Sequence, residues 1–193
     1  MTDEDLKQIL VDYARRTYER GLVGGTGGNF SARLSNGKMA ITASGLNLGD
    51  TSMDNLIDMD ITSYEYEPNG SHVPSKEYLF HADILALRPD VGAVLHIHPP
   101  YATTFAVLQR DIPMVTDAAF KQPKMPRVEF APSGTHELQA NVVEAIKSNP
   151  GCKALLLEQH GIICLGQDIR WAYDIADLTE ELARIAYLTE TLR

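Results

Sequence analysis

The sequence predicts a layered α/β fold, and three observations carry the prediction. Short helical and strand-like periodicities are interspersed along the chain. Glycine and proline clusters punctuate them, with no internal repeat, low-complexity tract or linker between. The 193 residues suffice for one sizeable core but not for two, so a single domain over 1–193 is expected.

The elements follow in order. Leu6, Ile9, Leu10, Tyr13 and Ala14 recur at helical spacing behind a start signal at Thr2 and Asp5, and this helix is expected to end near Gly21. After the glycine-dense loop 24–29, residues 30–34 and 38–42 read as strands joined through Ser35-Asn36-Gly37 as a hairpin. A further strand is expected over 61–67, closed by the Pro68-Asn69-Gly70 turn. Residues 75–88 have helical periodicity and stop before Pro89. A β-rich run covers 91–98, followed by a helix over 101–108. The stretch 112–133 is proline-rich and irregular, with a short strand over 127–130. A helix over 136–148, strands over 154–157 and 161–165, and a long amphipathic helix from about 168 complete the chain.

Composition narrows the function classes. The hydrophobic content of 44% and charged content of 22% are those of a soluble globular protein, and no window approaches the roughly 18 apolar residues of a membrane span. A formal net charge of −9 argues against nucleic-acid binding, which needs basic patches to neutralise phosphates. An anionic substrate must therefore be held by local donors working against the overall field. Residues 1–5 are acidic and lack the basic and apolar regions of a secretory signal, so a cytoplasmic location is expected. Cys152 and Cys164 have no CxxC spacing, so any metal is expected on nitrogen and oxygen ligands.

His96 and His98 are two apart in a strand, which aims both imidazoles into one volume while Leu95 and Ile97 point into a core. Two imidazoles on one face can supply two Zn–N bonds of about 2.0–2.1 Å. His160 lies between the apolar runs 155–157 and 162–163 with Gly161 beside it, and three histidines with an open position form a catalytic zinc arrangement. Glu77 and His81 are four apart on an expected helix and share a face, so spacing alone leaves His81 open as a competing ligand or as a residue bonded at the helix–sheet interface. Three donor clusters suit an anion: Thr26 to Asn29 in the glycine loop, Thr42-Ala43-Ser44-Gly45, and Ser75-Lys76 at a helix start. The glycine loop is neither a Walker A loop nor a dinucleotide fingerprint.

Taken in order, GTGGNFSAR (25–33), ITASG (41–45), PSKE (74–77), HIH (96–98) and QHG (159–161) resemble the class II aldolase/adducin family over nearly the whole chain. The resemblance implies a three-layer α/β/α fold with a largely antiparallel central sheet. It also implies a cyclic homotetramer with active sites at subunit interfaces and a small phosphorylated sugar as substrate. It assigns His96, His98 and His160 as Zn2+ ligands, and Glu77 as an acid/base group that also ligates the metal when substrate is absent. Thr26, Asn29, Ser44, Gly45 and Ser75, with Lys76, are assigned to the substrate phosphate, and His81 is left a non-ligand. The activity implied is retro-aldol cleavage of a ketose 1-phosphate to dihydroxyacetone phosphate and an aldehyde, through a metal-stabilised enediolate. Decarboxylation of a phosphorylated 3-oxo acid is the alternative on the same site, and a non-catalytic adducin-like module the remote one. Lys76 stands where some sugar-phosphate aldolases of the family have serine. Asp117 stands where they have a tyrosine that donates a proton in the neighbouring subunit's site, and is expected to take that role. The sequence ends at Arg193, without the tail that closes the site in some members.

Overall fold

The computed structural model describes residues 1–192. Its strands are β1 (Asn29–Arg33), β2 (Lys38–Thr42), β3 (Leu56–Asp60), β4 (Ala93–Ile97), β5 (Arg127–Val128), β6 (Ala154–Leu157) and β7 (Gly161–Gly166). They form one sheet in the order β3-β2-β1-β4-β7-β6-β5. Every neighbouring pair is antiparallel except β5 beside β6. The helices are α1 (Asp3–Glu19), α2 (Tyr78–Leu87), α3 (Pro100–Val107), α4 (Asp117–Phe120), α5 (His136–Ser148) and α6 (Ile169–Thr191).

Strand alternation sorts the side chains into two cores. Phe30, Ala32, Leu95, Ile97, Ile162 and Cys164 pack with α1, α3 and α6. Met39, Ile41, Ile57, Val94, Leu155 and Ile163 pack under α2 and α5. Each fully covered Leu, Ile or Phe stabilises the fold by roughly 1.5–3 kcal/mol relative to leaving it in water. This is the three-layer, largely antiparallel architecture expected. Among the described residues no helix is long and apolar enough to cross a membrane.

Most expected elements are present within a few residues of their limits. The start signal at Thr2 and Asp5 is a capping box that opens α1, with Asp5 N–H donating to Thr2 Oγ1 at 3.1 Å and Thr2 N–H to Asp5 Oδ2 at 2.8 Å. Three expectations need correction. The strand expected over 61–67 is instead β3, five residues earlier. Asp60 accepts from the N–H groups of Thr62 and Ser63 at 2.8 Å each, and this side-chain turn ends the strand. Only Tyr66 makes a bridge back, to Met59. The helix expected over 75–88 begins at Tyr78, because Ser75 N–H pairs with Thr42 O at the end of β2 and Glu77 takes the cap position. The irregular stretch 112–133 contains the short helix α4, which Thr116 caps by accepting from Ala119 N–H at 3.2 Å.

Candidate functional site

The end of β4 is where chemistry collects. His96 sits within the strand, completely buried, and His98 follows directly after its last residue, on the same face. His160 arrives from the turn between β6 and β7, where Gln159 adopts a left-handed φ of 57° and reverses the chain in three residues. The three rings meet with centroids 4.7 Å (His96–His160), 4.8 Å (His96–His98) and 5.1 Å (His98–His160) apart. One nitrogen from each lies within 4.8 Å of the others. Glycine permits this approach: a Cβ on Gly27 would stand 2.7 Å from His98 Nδ1, and one on Gly161 would stand 2.4 Å from Ile97 O. Both the TGG and the QHG motif therefore carry glycine where backbone must touch the histidine strand.

His96 Nδ1–H donates to Ile162 O at 2.9 Å across the sheet, which leaves Nε2 bare and facing the cluster. That Nε2 is 3.0 Å from His98 Nε2 and 3.2 Å from Glu77 Oε2. His160 Nε2 is 3.5 Å from Glu77 Oε1, and His160 Nδ1 is buried without a hydrogen-bond partner. Burial, with His96 and His160 alongside, pushes His98 down to about 3. Burial, His96 and the Lys76 charge push His160 down to about 4. Both are neutral at pH 7, the state a metal requires of an imidazole. On its own, burial would raise the Glu77 carboxyl. The adjacent His96, hydrogen bonds from Ser133 and Asn29, and His160 outweigh it and hold the group at about 2, so Glu77 is ionised. Converging imidazoles beside a buried carboxylate fit a divalent cation in their donor chemistry. These three histidines could hold a metal.

Glu77 is clamped from two sides. Ser133 Oγ–H donates to Oε1 at 2.7 Å, and Asn29 Nδ2–H donates to Oε2 at 2.9 Å. His81 is not aimed at the histidine cluster. Its Nδ1 meets Ser31 Oγ at 2.7 Å and its Nε2 meets Asn29 Oδ1 at 2.5 Å, so it occupies the helix–sheet interface. Burial, reinforced by His96, lowers His81 to about 3 and keeps it neutral.

A cavity of roughly 280 Å³ opens beside the cluster, lined by Thr26, Gly27, Gly28, Asn29, Ala43, Ser44, Gly45, Ser75, Lys76, Glu77, His98, Ser133 and His160. Residues of all three donor clusters read from the sequence thus share one wall, while Thr42 lies outside it and accepts from Phe30 N–H at 3.1 Å. Asn29 lines the cavity and gives one of its two side-chain N–H groups to Glu77. Asp117 is outside this cavity: it lies on α4 with its side chain 83% exposed, paired with Lys121 at 2.5 Å. Ser133 carries no motif and is legible only in three dimensions. A larger hollow of roughly 410 Å³ lies at the other end of β4 around Arg88 and Trp171, but among the described residues no metal-ligating cluster lines it. Convergence of donors, and not volume, places the chemistry.

Comparison with known proteins agrees with this geometry. The profile of the family described as "Class II Aldolase and Adducin N-terminal domain" matches residues 8–187. A 5-methylthioribulose-1-phosphate/5-deoxyribulose-1-phosphate aldolase of Rhodospirillum rubrum is 40% identical over 92% of this chain and 78% of its own length. A 3-oxo-tetronate 4-phosphate decarboxylase of Haemophilus influenzae is 31% identical, covering 100% of this chain and 90% of that protein. The solved structure of an L-fuculose 1-phosphate aldolase superposes with a TM-score of 0.89 at 32% identity, covering 100% of this chain and 89% of that one.

Proposed function

The chain belongs to the class II aldolase and adducin family, and from that membership we propose that it is a zinc-dependent lyase that cleaves a phosphorylated ketose by a retro-aldol reaction, releasing dihydroxyacetone phosphate and an aldehyde. The observation that carries this reading is the meeting of His96, His98, His160 and Glu77 at one end of a cavity whose remaining wall is rich in hydroxyl, amide and ammonium donors.

Bound on the three imidazoles, zinc supplies Lewis-acid stabilisation of the negative charge that develops on substrate oxygens when the carbon–carbon bond breaks. The protein supplies the rest. Thr26, Ser44, Gly45, Ser75 and Lys76 bind the phosphate and fix the sugar's orientation, with the second N–H of Asn29 available to it. Glu77, steadied by Ser133 and Asn29, would join the three histidines in holding the metal when substrate is absent. As the C3–C4 bond breaks, the C4 hydroxyl gives up a proton and C3 takes one up, and Glu77 would carry the proton delivered to C3, which becomes the hydroxymethyl of dihydroxyacetone phosphate. The protein works in the cytoplasm as a cyclic homotetramer, where Asp117, exposed on its own subunit, is offered to a neighbour's site as the proton donor of the condensation direction, and so as the acceptor of the C4 hydroxyl proton in cleavage. Light scattering of the purified protein checks the tetramer.

The printed activity of the Rhodospirillum relative supports, as the substrate to try first, a pentulose 1-phosphate with a 5-deoxy or 5-methylthio end. The second reading is decarboxylation of a phosphorylated 3-oxo acid, favoured by Lys76 in the cavity wall, a cation suited to the extra carboxylate, and by the Haemophilus relative. A panel of ketose 1-phosphates and phosphorylated 3-oxo acids, assayed in parallel for dihydroxyacetone phosphate and for carbon dioxide, decides between them. Dihydroxyacetone phosphate from a ketose supports the aldolase. Carbon dioxide from an oxo acid with no cleavage of any ketose overturns it.

A further inference from the structure

A chain of buried hydrogen bonds runs from β1 to Glu77 through a histidine that the proposed chemistry does not use. Asn29 and Ser31 are two apart on β1, so both side chains leave the strand on the α2 side. His81 comes down from the first turns of α2 and spans the two of them with one ring, Nδ1 on Ser31 and Nε2 on Asn29. Asn29 in turn lies across the sheet from His96 and reaches Glu77. Ser31 and His81 are completely buried, and Asn29 and Glu77 nearly so.

We propose that His81 is a positioning residue for Glu77: by bridging Ser31 and Asn29 it locks the Asn29 side-chain amide with its N–H, and not its carbonyl, toward the carboxylate.

Donor and acceptor chemistry allows one consistent direction. The side-chain nitrogen of Asn29 stands 2.9 Å from Glu77 Oε2 and donates to it. The carbonyl oxygen then faces His81 at 2.5 Å, which requires a proton on His81 Nε2. A neutral imidazole with Nε2–H has a bare Nδ1, and Ser31 Oγ–H is placed at 2.7 Å to donate to it. Each group is thereby satisfied in a place where an unpaired one would be costly. Reversing the amide would set a carbonyl oxygen against the carboxylate and break the bond to His81 at the same stroke. An amide free to rotate has no such preference, so Glu77 would lose a fixed donor on the side facing His96. Phe80 stacks on the His81 ring with centroids 4.9 Å apart, which holds the imidazole plane in place. The inference rests on the lyase reading only for its effect on turnover; the hydrogen-bond direction stands apart from it.

The test uses the full-length, metal-loaded protein and the variants His81→Phe, His81→Gln and Ser31→Ala, with three readouts: metal content, kcat and KM on the ketose panel, and nitrogen NMR of the histidine rings. In the unaltered protein His81 is expected as the Nε2–H tautomer with Nδ1 unprotonated. His81→Phe keeps the stacking but removes the bridge, and is expected to lower kcat by about ten- to a hundredfold with KM and metal content near those of the parent. His81→Gln can place an amide N–H near the lost Nε2–H and is expected to recover most of that loss. Ser31→Ala, which removes only the distal bond, is expected to cost a smaller factor than His81→Phe. An Nδ1–H tautomer in the parent overturns the proposal, because Asn29 would then be reversed. So does a His81→Phe protein that folds and turns over at the parental rate. If the parent cleaves no ketose and decarboxylates no oxo acid, the lyase reading fails while the tautomer spectrum still decides the direction of the chain; if His81→Phe does not fold, the same spectrum decides it.

Discussion

Strands β1 and β4 present two faces that are equally dry and chemically unlike. Toward α1, α3 and α6 they show Phe30, Ala32, Leu95 and Ile97, all buried and apolar. Toward α2 they show Asn29, Ser31 and His96, buried just as deeply and polar. The first face stabilises the fold by leaving water. The second stabilises it only as far as its groups find partners, since a buried polar group without one costs free energy. Here partners are found through Glu77, His81 and the carbonyl of Ile162. The orphan near the cluster is Nδ1 of His160. One strand can therefore serve as core and as site, with period-two alternation keeping the roles apart.

The comparison makes predictions that differ by face. Changing His96 to Ala should reduce turnover to background and empty the metal site, measured by activity and by elemental analysis of the same sample. Glu77→Gln should retain metal but lower kcat by about 10²–10⁴-fold, since a general base is removed while the carboxamide still fills the space; equal loss of metal in both variants would contradict the division of roles. On the opposite face, Leu95→Ala should cost about 2–5 kcal/mol of stability in denaturant unfolding, through the cavity left behind, while turnover per folded molecule stays near normal. A loss of metal in Leu95→Ala would mean that the faces are not separable. Ser133→Ala removes one donor to Glu77 and should lower kcat by about tenfold, the size of one hydrogen bond to a charged group, with unfolding nearly unchanged.

How much of this was legible before the fold was known depended on whether a local rule applied. The His96/His98 pair follows from strand period, and Leu95 and Ile97 on the far face follow with it. The hairpin at Asn36-Gly37, the start signal at Thr2 and the helices near 101–108 and 136–148 are likewise local, and the structure contains them. The strand after residue 55 was misplaced because residues 61–67 alternate as well as 56–60 do, and the Asp60 side-chain turn that decides between them is a capture of backbone N–H groups that periodicity does not register. Nothing local brings His160 to the histidine pair or Ser133 to Glu77; both meetings are long-range, and only the ordered motifs of the family pointed to the first. His81 was half legible: its spacing from Glu77 marked a shared neighbourhood and the family resemblance left it a non-ligand, while its bridge between Ser31 and Asn29 emerges only in the fold.

Elemental analysis of the purified protein beside its His160→Ala variant tests the central claim most directly, because His160 comes from a different stretch of chain than the 96/98 pair. The account predicts close to one tightly held divalent ion per chain in the parent and a large loss in the variant, both remaining folded. A parent without a stoichiometric ion, or a variant that keeps it undiminished, would contradict the account.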